Sequence, residues 1–370
     1  MLSSKLIIFV ENASGFICQY LIRFLESLSK TQKLDIGIYC QEGQRDLFEK
    51  LGCLYINTQK DLGYFVKNND PRIYEGLLKF ASENGIKRIY IPRLNFPEYL
   101  LSELNIGDYP FDIILGIFSF ELMSKSRARS NVVVQLFSNH NIFKIIQHTI
   151  GFKNNKGPAY FQIDEKCKEK LKVLSEPDYE DPSEYYTDDL NALREKYSFG
   201  KSNFVFLYFG NMFYGKGVDI LLDSFQYAQK QMHLIVAGDP KTKNFDFNFR
   251  DKSNITLFDE FIPHKKMIEL FVISDCIVLP YRNSYEFGTS GVFHQAMLAR
   301  RPLVVPDIEP FGSASIEFNC GEVFNCEDAA SLSTAMSKVF SRNPQDYLPG
   351  IENYLKQRSS WSDVVDLVFN

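Results

Sequence analysis

Asn203 to Gly217 reads NFVFLYFGNMFYGKG, and this stretch decides how the chain is read. Phe204 to Phe209 is an unbroken apolar run with β-branched and aromatic residues, the composition of a parallel strand buried on both faces. The chain then turns glycine-rich, with Gly210, Gly215 and Gly217, and Lys216 between the last two. From Val218 to Gln229 apolar residues fall at 218, 221, 222, 225 and 228, the spacing of an amphipathic helix. Strand, loop and helix together let a phosphate approach backbone N–H groups at the helix start, where Lys216 supplies a cation. The same residues also fit a tight βα turn with a solvated lysine, so the segments around it must arbitrate.

Downstream the same grammar repeats. Strands are expected at 204–209, 233–237, 255–258, 276–280 and 303–305, with helices at 218–230, 264–273 and 291–300 and a further βα unit at 322–340. Each strand tends to end in Gly, Pro or Asp. Their exit loops are therefore expected to form one crevice at the carboxyl edge of a parallel sheet, where open sheets bind ligands.

Upstream, Lys5–Val10, Leu34–Cys40, Leu54–Ile56 and Arg88–Ile91 read as strands. Phe16–Leu28, Arg45–Leu51 and Pro71–Glu83 read as the helices between them, giving a layered α/β domain. In the middle, Phe111–Phe118 and Val132–Phe137 look like strands and Ile142–Ile150 like a helix; Lys166–Leu174 runs from a charged helix into a short strand. SEPDYEDPSEYYTDD, rich in proline and acid, marks a linker near 175–190. We expect a first domain over 1–177, a second over 178–350, and a helix over 351–370, carrying the single tryptophan Trp361, that crosses back to the first.

Composition bounds the function. A chain of 370 residues exceeds the size at which one core usually stops growing. Apolar content of 45% and charged content of 24% are those of a soluble globular protein. A formal charge of -5 without a basic run argues against nucleic acid as a partner. The start, MLSSKLIIFVENASG, reads as a first strand rather than a signal peptide, and no run is long enough to span a bilayer. Seven scattered cysteines argue for reduced thiols in the cytoplasm, with no disulfide framework and no metal-ligand spacing. With 33 Phe and 20 Tyr, some aromatic residues remain for a membrane-facing or acceptor-binding surface.

Four stretches of the second half carry the candidate chemistry. Gly210 to Gly217 is the first, and Gly238-Asp239-Pro240 the second. The third is Phe261-Ile262-Pro263, where backbone and apolar groups suit a flat ring. In the fourth, PYRNSYEFGTSGVFHQAMLARRPLVV (280–305), a strand ends at Pro280 and a helix begins around Thr289 to Gly291. Free N–H groups at that start suit a phosphate, with hydroxyls from Thr289 and Ser290. Ser290 also fits simple helix capping. Glu286, in the loop, is placed for sugar hydroxyls or for solvent.

This combination resembles the large retaining glycosyltransferase group of the GT-B fold (family 4 type), which includes bacterial mannosyl-, glucosyl- and N-acetylglucosaminyltransferases. The resemblance is best over 203–340 and loose over 1–175. Gly210 and Lys216-Gly217 are similar to the opening of the family's second domain, and Ala296-Met297 followed by Arg301-Pro302-Leu303-Val304-Val305 to its later landmark. The resemblance implies two Rossmann-like domains facing a central cleft. It also implies a donor site holding a nucleotide-diphosphate sugar, UDP- or GDP-linked, and transfer to a glycan or lipid-linked acceptor without metal or cofactor. Lys216 and the N–H groups of 289–291 would stabilise the departing diphosphate. Contact with a membrane surface or a partner glycosyltransferase is also implied.

Three positions depart from the family pattern. Asn211 stands where the family has arginine. Gln295 stands where it has the second of two glutamates, which holds the ribose. The first glutamate falls at Phe287, so Glu286 serves only if the loop shifts by one. In the first domain Asn12 to Gly15 matches the loop that the family places under the donor phosphates, so Gly15 joins the donor-binding set. A histidine near the transferred sugar would be His140 or His148. Two other readings stay open: an inactive binding or partner protein of another glycosyltransferase, which Asn211 and Gln295 favour, and a nucleotide-sugar epimerase.

Overall fold

The computed structural model describes residues 6–11, 15–30, 36–51, 53, 55–68, 70–94, 97–117, 127–149, 164–178, 180–240, 253–286 and 288–370. The chain divides into two compact units. One comprises Met1–Thr149, Lys156–Tyr179 and Ser359–Asn370, the other Ile150–Asn155 and Glu180–Arg358.

In the first unit β1 (Leu6–Val10), β2 (Ile36–Gln41), β3 (Tyr55–Gln59), β4 (Arg88–Ile91), β5 (Asp112–Ile117), β6 (Ile142–Thr149) and β7 (Leu171–Ser175) form a sheet in the order β3-β2-β1-β4-β5-β6-β7. Every pairing is parallel. In the second unit β8 (Phe204–Phe209), β9 (Met232–Ala237), β10 (Ile255–Phe258), β11 (Cys276–Val278), β12 (Leu303–Pro306) and β13 (Gly321–Phe324) order as β10-β9-β8-β11-β12-β13, again all parallel. Helices on both faces remove the central strands from water, so LIIFV of β1 is buried throughout, as are Val205 to Tyr208 of β8. Strand order reverses between β1 and β4, and between β8 and β11. At such a reversal neighbouring exit loops diverge and leave a crevice at the carboxyl ends.

Two sequence expectations are corrected. Val132–Phe137 is not a strand but part of the helix Arg127–Ser138, whose Leu136 and Phe137 enter the core. Its valines carry strand propensity, and tertiary packing overrides it. Ile142 to Thr149 is not a helix but β6. Its polar residues Lys144, Gln147 and His148 are three and four apart and so imitate helical spacing. In the sheet all three are buried, between β5 and β7. Residue 150 lies outside the described residues.

The stretch 351–370 is two helices rather than one. Leu348–Lys356 belongs to the second unit, where the Tyr354 hydroxyl meets His294 Nδ1 at 2.8 Å. Trp361–Phe369 belongs to the first unit and starts with a capping box between Ser360 and Asp363. It packs on the helix Gly15–Ser29 through buried Val364, Val365 and Val368. Its last carbonyls, the negative end of its dipole, meet two cations from the sheet. Arg88 donates to the Val368 and Phe369 oxygens at 3.2 and 3.0 Å, and Lys144 to that of Leu367 at 2.6 Å.

Arg88→Ala is therefore expected to cost the first unit about 1–2 kcal/mol of stability. Urea titration followed by the fluorescence of Trp361 reads that unit alone, because the chain's single tryptophan lies in it. An unshifted midpoint would show that the cation cap contributes nothing.

Candidate functional site

The second unit's switch point is built by two loops that meet backbone to backbone. Tyr214–Lys216 forms one 3₁₀ turn, and Gly217, at φ +63°, starts the helix Val218–Phe225. A Cβ on Gly217 would stand 1.9 Å from the Pro280 carbonyl oxygen, so only glycine fits both the left-handed backbone and the contact. The Arg282 N–H donates to the Gly215 carbonyl at 3.0 Å and ties the β11 exit to the β8 exit. Gly238 does the same service at β9, where a Cβ would stand 1.9 Å from the Gly210 oxygen.

Two cations stand in this junction, and their charges are treated differently. Arg282 is buried and committed. It is paired with the Asp219 carboxylate, lies 3.4 Å from Glu327 Oε2, donates to the Tyr214 carbonyl at 3.0 Å, and covers the Tyr214 ring at 4.1 Å. Lys216, half-buried, has no carboxylate within ion-pair distance among the described residues. Its Nζ lies 3.9 Å from the centre of the Tyr281 ring and 4.0 Å from that of Tyr285. Burial pulls the ammonium down to about 7. The two ring faces act in the opposite sense, because their negative quadrupoles favour the charged form.

The helix Gly291–Leu298 starts beside this pair. Val292 reaches to 3.8 Å from the point where a Cβ on Gly210 would stand, and a Cβ on Gly291 would meet nothing within 4 Å. Ser290 is the cap: its buried hydroxyl accepts from the Phe293 N–H at 3.3 Å and shares a 2.8 Å bond with the Tyr281 hydroxyl. The Thr289 carbonyl accepts from the Tyr285 hydroxyl at 3.2 Å. Glu286 ends the 3₁₀ turn Asn283–Tyr285, half-buried in the loop that carries Tyr285. Phe287 lies outside the described residues.

The fold thus gathers Gly210, Gly215, Lys216, Gly217, Gly238, Thr289, Ser290 and Gly291 at neighbouring strand exits. Asn211 is exposed, its carbonyl accepting from the Tyr208 hydroxyl at 3.0 Å. Gln295, one turn beyond Gly291, is already engaged: its Nε2 donates to Glu180 Oε1 at 3.1 Å and touches Met267 Sδ at 3.2 Å. Ile262 is buried at the exit of β10, two strands from β8.

In the first unit Gly15 opens its helix, while Asn12 to Ser14 lie outside the described residues. The two candidate histidines differ in setting. His148 is 1% exposed, with Nε2 3.4 Å from the Tyr20 hydroxyl, and burial depresses it to about 4 although Glu176 opposes this. It is a neutral core side chain. His140 is exposed near Asp108 in the turn that enters β6, at the amino end of the sheet and away from the exit loops. Among the described residues no group of three His, Cys, Asp or Glu stands where it could hold a metal, and no helix is long and apolar enough to cross a membrane. All seven cysteines are free.

Sequence reasoning missed Tyr281, Tyr285, Arg282 and Glu180. The two tyrosines lie four apart in PYRNSYE, but a loop has no period, so nothing in the spacing says that both rings face one lysine.

Comparison with known proteins agrees with this architecture. Residues 203–342 match the model of the family described as glycosyl transferases group 1. No curated protein matches the chain. Among solved structures, HepE of Anabaena in complex with UDP is similar at 16% identity, covering 99% of this chain and 98% of that one, with a TM-score of 0.71. A glycosyltransferase from Rickettsia africae is similar at 13% identity, with coverage of 99% and 98% and a TM-score of 0.71. WaaG, a glycosyltransferase involved in lipopolysaccharide biosynthesis, is similar at 14% identity, with coverage of 98% and 99% and a TM-score of 0.65. The fold is GT-B.

A lysine depressed by burial predicts pH-dependent anion binding at this junction. With the ammonium pulled down to about 7, affinity for a diphosphate should be higher near pH 6.5 and fall as pH rises toward 9. Over that range a terminal phosphate, whose second ionisation lies near about 6, changes little. In Lys216→Arg the fall should vanish, because a guanidinium keeps its proton. Titration calorimetry with UDP at several pH values checks both; a flat wild-type profile would contradict the depressed lysine.

Proposed function

We propose that the chain is a glycosyltransferase that takes a sugar from a nucleotide-diphosphate sugar and passes it to a hydroxyl of a glycan, glycolipid or other lipid-linked acceptor. The observation that carries this reading is Lys216: a half-buried cation without a carboxylate partner among the described residues, at the switch point of a parallel sheet and beside an open helix start. The family match over 203–342 supports it.

The leaving group decides the chemistry. As the bond from the anomeric carbon to the diphosphate oxygen breaks, negative charge grows on that oxygen. Lys216 and the N–H groups around Gly291 meet the charge with donors already in place, so neither metal nor cofactor is needed in this reading. Glu286 is the candidate for holding sugar hydroxyls. Transfer with retention of the anomeric configuration, and the family 4 assignment, rest on the motif resemblance. A UDP-sugar is the favoured donor because HepE was solved with UDP and with UDP-glucose. The reading places the protein in the cytoplasm, at the inner membrane face when the acceptor is lipid-linked.

A second reading has its own observation. Gln295 already donates its amide to Glu180, and Asn211 brings no charge, so a protein that binds without turnover also fits.

Incubation with a panel of nucleotide sugars, with and without acceptor extracts, tests the choice by release of free nucleoside diphosphate. Release that requires acceptor is expected. Binding without release in any combination would favour the second reading. Lys216→Ala should weaken UDP binding about ten- to a hundredfold, the worth of a charge-assisted contact, and leave uridine binding unchanged. Equal losses for both ligands would remove Lys216 from the diphosphate site.

A further inference from the structure

Buried cations normally stand against carboxylates, and Arg282 does so with Asp219 and Glu327. Lys216, on the adjoining loop, stands instead against two aromatic faces. The difference has consequences for an incoming anion. A carboxylate would neutralise the ammonium and compete with the ligand, whereas a ring face holds the charge in place and leaves it net positive.

The two rings are fixed. Tyr281 is fully buried, its hydroxyl is bonded to that of Ser290, and its edge packs on Phe311 at 5.2 Å. Tyr285 lies 4.6 Å from Tyr281 at 51° and 6.2 Å from Phe311, with its hydroxyl on the Thr289 carbonyl. The pair makes an open V with the ammonium at its mouth. The hydroxyls of both rings are bonded at the start of the helix Gly291–Leu298, so one framework sets the lysine and the helix N–H groups together.

We propose that Tyr281 and Tyr285 form an aromatic clamp that positions Lys216 for diphosphate capture. The proposal rests on the reading that Lys216 meets the donor diphosphate. Tyr285 is a positioning residue: it acts on the nucleotide through the lysine.

The test separates the ring from the hydroxyl and the clamp from the donor site. Tyr285→Phe keeps the ring and loses the bond to Thr289; Tyr285→Leu loses both. Lysines of the full-length chain are dimethylated with ¹³C, and Lys216→Arg identifies the Lys216 resonance. Its methyl protons should be moved upfield by the ring faces in the unmodified chain and in Tyr285→Phe, and be moved clearly less in Tyr285→Leu, where only the Tyr281 face remains. In calorimetry with UDP, Tyr285→Phe should bind within about twofold of the unmodified chain and Tyr285→Leu about three- to tenfold more weakly, with uridine affinity unchanged. A resonance as far upfield in Tyr285→Leu as in the unmodified chain overturns the clamp, as does Tyr285→Leu binding UDP as tightly as the unmodified chain or more tightly. If the shifted resonance is present and the unmodified chain binds no UDP, the donor-site reading falls, and the clamp's role in diphosphate capture falls with it.

Discussion

The contact of Gly217 with the carbonyl of Pro280 governs the second unit's candidate site. It sets how closely the exit loops of β8 and β11 approach, at the place where strand order reverses. The lysine and one of its rings are immediate neighbours of that contact. Lys216 precedes Gly217, and Tyr281 follows Pro280, so closing the backbone gap places the ammonium over the ring. A side chain at 217 would push the loops apart and separate the cation from its clamp.

Charge is then distributed by two different devices within one junction. Arg282 is neutralised by Asp219 and Glu327 and serves as a tie between loops. Lys216 is held by ring faces without a carboxylate partner among the described residues. Swapping these roles would not work: the arginine's planar fork suits several fixed oxygen acceptors, and the compact ammonium suits the mouth of two tilted rings. The pairing of a committed cation with an uncommitted one points to the proposed anion site more sharply than the glycines do.

The first unit uses its polar residues for architecture. Arg88 and Lys144 meet the last carbonyls of the helix Trp361–Phe369, which secures the end of the chain to this sheet. His148 lies in the core beside Tyr20, depressed by burial and neutral at ordinary pH. His140 lies at the amino end of the sheet, and His148, one residue before the end of β6, is buried.

The parallel α/β class of both units was legible in the sequence, because buried parallel strands need unbroken apolar runs, and glycine, proline and aspartate punctuate their ends. Arg88–Ile91, Phe204–Phe209, Ile255–Phe258 and His264–Ile273 were readable to the residue. The loop that carries Lys216 between two glycines at a helix start was legible too, because glycine punctuates the strand end there. Tertiary structure decided the rest. Val132–Phe137 became helix and Ile142–Thr149 strand, because burial between neighbouring strands outweighs local propensity and a three-four polar spacing. The Tyr281–Tyr285 clamp, the Arg282 tie and the engagement of Gln295 by Glu180 join loops or segments distant in the chain. Periodicity describes what one segment does with its own faces; which side chains meet across two loops is set only when strand order brings those loops together.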